Sequence, residues 1–113
     1  DYFMQIQLQT DRNIPHNAGL EHHVDDVIRK TLLPYRDHVT RVEVHISDVN
    51  AKKASENDKR CVVEYHLSGL QPMVVTAEAD TVHHVLESAA KKLRHAVASA
   101  HEKQQGRRHV VLH

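Results

Sequence analysis

From Val82 to Ala100 this chain carries its apolar residues on one side of a helix. At about 100° per residue, Val82, Val85, Leu86, Ala89, Leu93, Ala96, Val97 and Ala100 fall within roughly 60° of one direction. A segment patterned this way has one face to bury, so it must close over a second layer. Asp80 or Thr81 stands where a side-chain oxygen caps the first free N–H groups, and Gly106 stands where a left-handed residue ends a helix. The expected helix runs from Thr81 to Lys103, and the chain divides into one domain over 1–106 and a tail over 107–113.

The second layer is written upstream. Met4, Ile6 and Leu8 alternate with Gln5, Gln7 and Gln9, the period-2 signature of a strand with one buried face. Leu20, Val24, Val27, Ile28 and Thr31 then recur at helical spacing. Pro34 restricts Leu33, so that helix ends near Leu32. Alternation resumes over Arg41 to Ile46 and again in Cys61, Val63, Tyr65 and Leu67. The turn Ser68-Gly69-Leu70-Gln71-Pro72 leads into a fourth strand, Met73 to Ala79. A strand-helix-strand crossover makes strands one and two parallel, and the remaining strands form an antiparallel meander. The fold class is therefore α+β, ordered β-α-β-β-β-α. Each helix has one apolar stripe and each strand one apolar face, so both helices cover the same side of a four-stranded sheet.

With 113 residues the chain forms one core and needs neither disulfide nor metal to stand. The single cysteine, Cys61, excludes an internal disulfide and fits a reducing compartment, and no apolar run approaches the ~20 residues of a membrane span. A cytoplasmic protein is expected. Cys61 shares the parity of Val63 and Tyr65 and reads as a small core residue rather than a nucleophile. No glycine-rich phosphate loop and no catalytic spacing appears, so the chain does not read as an enzyme and no cofactor is implied. Among twelve histidines, the adjacent pairs His22-His23 and His83-His84 diverge by about 100° on their helices and cannot share an ion. With no HExxH and no cysteine pair, no metal site is expected. His45 and His66, on the polar face of adjacent strands, form the one constellation of interest.

Charge is separated along the chain although the total is zero. Residues 1–80 carry nine Lys+Arg against thirteen Asp+Glu, whereas residues 81–113 carry six (Lys91, Lys92, Arg94, Lys103, Arg107, Arg108) against two. That asymmetry points to a polyanion at the C-terminal end, with Arg29, Lys30 and Arg36 from the first helix region assisting. The plainer reading is a solvated helix face on which Glu87 and Lys91 pair at i, i+4. A different class of function is a protein-binding regulatory module whose contact surface is the acidic set Asp25, Asp26, Asp48, Glu56 and Asp58. The apolar tail Val110-Val111-Leu112 either pairs with a sheet edge or a second subunit, or stays disordered, so a monomer or weak homodimer is expected.

The opening Met4-Gln5-Ile6-Gln7-Leu8, the strand start Thr40-Arg41-Val42-Glu43-Val44 and the helix from Asp80 to Leu93, taken in order, resemble the ribosome hibernation promoting factor family. This family is also called ribosome-associated inhibitor or sigma-54 modulation protein, and the resemblance spans Met4 to Lys103. It implies a fold like a double-stranded-RNA-binding domain with an added first strand. It also implies binding to 16S-type rRNA of the small ribosomal subunit, between head and body where mRNA and tRNA sit, so that initiation is blocked in stationary or stressed cells. No DNA or membrane partner is implied. The chain looks like the family's short form and a divergent branch of it: Lys91 replaces an acid, His83 replaces an aromatic residue near the helix start, and His95, Ser99 and His101 occupy positions usually basic. His95 joins the RNA-binding set on that ground. Because histidine gains charge on mild acidification, RNA affinity is expected to rise from about pH 7.5 to 6.

Overall fold

The computed structural model describes residues 4–49 and 58–111, with side chains described as far as residue 106. Strand β1 (Gln5–Thr10) is followed by helix α1 (Ala18–Thr31), a 3-10 turn (Leu33–Tyr35), strands β2 (Val39–Asp48), β3 (Lys59–Leu67) and β4 (Met73–Ala79), and helix α2 (Val82–Val111). The sheet order is β1-β2-β3-β4, with β1 parallel to β2 and the other neighbours antiparallel. Fold class, strand order and pairing agree with the sequence pattern.

Register explains why alternation was a sufficient guide. Three inward rows cross the sheet: Ile6, Val42, Tyr65 and Met73; then Leu8, Val44, Val63 and Val75; then Thr10, Ile46, Cys61 and Ala77. Each row keeps its parity from strand to strand, so a one-residue slip anywhere would turn apolar side chains to water. β2 begins two residues before the alternation does. An irregularity between Val39 and Arg41 lets both Val39 and Val42 face the core, and strict period-2 counting cannot see past it.

Both helices lie on the inward face. Val24, Ile28 and Leu32 from the α1 segment meet Val85, Leu86, Ala89, Leu93 and Val97 of α2 in one cluster with the strand residues. Asn17 caps α1, its Oδ1 accepting the Leu20 N–H at 2.9 Å. Thr81 caps α2 by accepting the His84 N–H at 3.0 Å. At the far end, α2 does not stop at Gly106: the helix continues to Val111, and positive φ among glycines occurs at Gly69 in the β3–β4 turn. Glycine inside a helix costs only about 1 kcal/mol relative to alanine. Gln104, Gln105, Arg107 and Arg108 around it are good helix formers with no proline behind them, so nothing there compels a stop. Residues 107–111, expected as a tail, continue the backbone of α2, and Leu112 lies outside the described residues.

Cys61 is fully buried, and burial pushes its thiol up to about 12. In the folded protein a thiol reagent should react with Cys61 only as fast as the chain unfolds, and denaturant should restore ordinary reactivity. Leu93, also fully buried, sits at the middle of the helix–sheet seam. Leu93→Ala should lower unfolding free energy by about 2–5 kcal/mol in a denaturant titration.

Candidate nucleic-acid interface

Packing of α2 decides where its cations point. With Ala89, Leu93 and Val97 turned inward, Lys91, Arg94 and His95 emerge toward α1, whereas Lys92 emerges toward β4 and donates from Nζ to the Thr76 carbonyl at 2.8 Å. Lys103 borders a separate cleft with Leu70, Met73 and Gln104. The basic set read from the sequence is thus split between two sides of one helix. The larger group gathers at a groove of about 530 Å³ between the end of α1 and the middle of α2, lined by Lys30, Lys91, Arg94 and His95 over Thr31, Leu33, Pro34 and Ala90. Among the described residues four basic side chains line it and no carboxylate does.

Arg29 and Arg36 are not at the groove. Arg29 is a structural tie, donating from Nε to Asp25 at 2.9 Å and from Nη2 to the Met4 carbonyl at 3.0 Å, which fastens α1 to the approach of β1. Arg36 donates to the Leu33 carbonyl at 3.4 Å. The side chains of Arg107 and Arg108 lie outside the described residues.

The expected Glu87–Lys91 pair does not form. Glu87 instead meets His83 one turn earlier, at 2.9 Å, and His83 stacks on His23 of α1 with ring centroids 5.8 Å apart. Lys91 and Arg94 consequently have no carboxylate partner among the described residues. The acidic set is the reverse case: Asp25 pairs with Arg29, Asp26 with Lys30, and both Asp48 and Asp58 with Lys59 at 3.4 and 3.0 Å. Glu56 lies outside the described residues. The acidic residues are largely neutralised from within, while the groove's α2 cations are not.

His101 is not on the groove either. Its ring packs 5.5 Å from Tyr35 and 4.6 Å from His38, and its Nδ1 is buried without a hydrogen bond. Of the two histidines expected to supplement the basic face, His95 alone lines the groove.

On the outer face of the sheet His45 and His66 do not meet, because His45 stands opposite Val62 and His66 opposite Arg41. His66 lies instead with Glu64, at 2.9 Å, and with Glu43, the three donor groups falling within 4.8 Å of one another. Glu43 already has Arg41 at 3.2 Å. Glu43 and Glu64 stand directly opposite on neighbouring strands, where like charges repel, and each has a hydrogen-bonding partner, Arg41 for Glu43 and His66 for Glu64.

A family model described as sigma 54 modulation protein / S30EA ribosomal protein matches residues 8–105. The chain belongs to this family. Members of it are ribosome-associated factors and not enzymes. The fold is similar to that of the protein Y N-terminal domain from Thermus thermophilus (20% identity, TM-score 0.66, covering 83% of this chain and 96% of that one). It is also similar to a ribosomal subunit interface protein from Coxiella burnetii (15% identity, TM-score 0.71, covering 88% of this chain and 99% of that one). A search of curated proteins gives no significant match. Among the described residues no helix is long and apolar enough to cross a membrane.

The start of α2 is histidine-rich, with His83 and His84 side by side. His84 Nδ1 lies 2.7 Å from Asp80 Oδ1. That hydrogen bond, and then the charge of Asp80, raises the imidazole above the ordinary histidine value, while the same bond holds the Asp80 carboxyl below the ordinary carboxylate range. A histidine raised on folding adds stability below its unfolded pKa and loses it as pH rises through its folded one; the lowered aspartate loses its contribution as pH falls through its own. The pair therefore secures the first turn of α2 in a mildly acidic window. NMR titration should place His84 above an ordinary histidine, and Asp80→Asn should bring it down. Amide protection in that turn should fall as pH rises through the His84 titration, a dependence that His84→Ala abolishes.

Proposed function

We propose that this protein is a cytoplasmic factor that binds the small ribosomal subunit through rRNA phosphates at the groove between α1 and α2, occupies the mRNA/tRNA channel and holds the ribosome inactive. Family membership supports ribosome association. The observation that carries the choice of surface is the charge balance among the described residues: Lys91 and Arg94 stand there without carboxylate partners beside Lys30 and His95, in a groove that no described carboxylate lines. Cations left unpaired by the fold are available to displace counterions from a nucleic-acid backbone, which is the source of most sequence-independent affinity. The competing idea of an acidic protein-docking surface loses ground for the same reason, since Asp25, Asp26, Asp48 and Asp58 already have cationic partners.

Lys92 and Lys103, on the β4 side of α2, are placed to meet a second stretch of backbone rather than the same one. In this reading the RNA straddles the helix.

Co-sedimentation with purified small subunits across salt concentrations tests the proposal. About four phosphate contacts give a log–log slope near −3. A Lys91→Gln/Arg94→Gln double variant should bind about tenfold or more weakly and flatten that slope by about 2. A wild-type protein that stays in the supernatant at low salt would contradict it.

A further inference from the structure

The groove is not uniformly polar, and its apolar part has a location that needs explaining. Leu33 is 54% exposed, one of three large hydrophobic residues so exposed among the described residues, and it borders the groove beside Pro34. Its neighbour Leu32 takes the inward position and is fully buried, so the 3-10 turn at Leu33–Tyr35 holds Leu33 outward. Arg94 and His95, both planar side chains, line the same groove from α2, with Lys30 and Lys91. Lys30 is ion-paired to Asp26 at 3.1 Å, with three quarters of its side chain still exposed (76%).

We infer that this groove takes an unpaired RNA nucleotide, with its phosphate held by Lys30 and Lys91 and its base lodged between the Leu33–Pro34 shelf and the planes of Arg94 and His95. The inference rests on the RNA-binding reading above and specifies the state of the RNA. A purely electrostatic backbone site has no use for an apolar wall. Double-stranded RNA shows a protein phosphates and hydroxyls while its base faces are stacked away, whereas a single strand or an extruded base offers a flat apolar face to guanidinium, imidazole or aliphatic groups. An apolar shelf sharing one groove with two planar side chains therefore fits the single-stranded form. A volume of about 530 Å³ lies within the roughly 300–1,000 Å³ usual for ligand clefts.

The probes are a fluorescently labelled oligouridylate and an RNA hairpin of equal length, titrated with the whole protein by anisotropy at one salt concentration. The single strand should bind about tenfold more tightly. Leu33→Ser, which removes no charge, should weaken oligouridylate binding about 5- to 10-fold, the low end for loss of one base platform, and leave hairpin affinity and salt slope unchanged. Leu33→Tyr should strengthen it, a gain that misfolding cannot produce. Equal or tighter binding of the hairpin, or indifference of oligouridylate to both Leu33 variants, would overturn the inference. Co-sedimentation of the same proteins with small subunits keeps the two readings separate: loss of wild-type co-sedimentation strikes the ribosomal role, while loss of the single-strand preference strikes only the nucleotide site.

Discussion

One packing seam sets the outward surface of this protein. Leu86, Ala89, Leu93 and Val97 seal α2 onto a core shared with the sheet and α1, and their direction fixes the azimuth of every other side chain on that helix. Because helical residues three or four apart share a face, burying Leu93 and Val97 obliges Lys91 and Arg94 to face the end of α1 and Lys92 to face β4. A rotation of one residue, about 100°, would bring these cations against the core. The seam thus protects stability and the arrangement of charge together.

Carboxylates decide which of those cations remain available. Net charge is zero over the whole chain, so a uniform mixing of signs would leave no surface with a field of its own. Instead Asp25, Asp26, Asp48 and Asp58 are held by neighbours, Glu78 is gripped by Arg60 through two donors at 3.1 and 2.8 Å, and Glu87 is turned to His83. The exposed pairs among these contribute little to stability. Their larger effect is to neutralise charge in patches, Lys30 at the groove edge included through Asp26, so that among the described residues Lys91 and Arg94 are the groove's cations without a carboxylate partner.

Much of the fold was legible because each inward row of the sheet keeps one parity and each helix one stripe. Met4, Ile6 and Leu8, or Val24 and Ile28, admit a single placement. The bulge before Arg41 escaped because two buried valines three residues apart break the period that betrays a strand. Gly106 misled for a related reason: its presence permits a helix to end, but termination needs a competing backbone conformation that nothing nearby supplies. The site was less readable. Sequence identified the basic residues of α2 without saying that they divide between two sides, or that Glu87 prefers His83 to Lys91, since both outcomes depend on the rotation of α2 and on the position of α1. Leu33 left no signal at all, because an exposed leucine after a helix end acquires meaning only beside Arg94 and His95.

Chemical footprinting of lysines on the ribosome-bound protein tests the central claim, that the groove between α1 and α2 is the surface facing rRNA. On addition of small subunits, Lys30 and Lys91 should become protected from acetylation, while Lys59, held by Asp48 and Asp58 at the other end of β2, should react as in the free protein. Protection of Lys59 with Lys30 and Lys91 fully reactive would place the ribosome on another face and contradict the account.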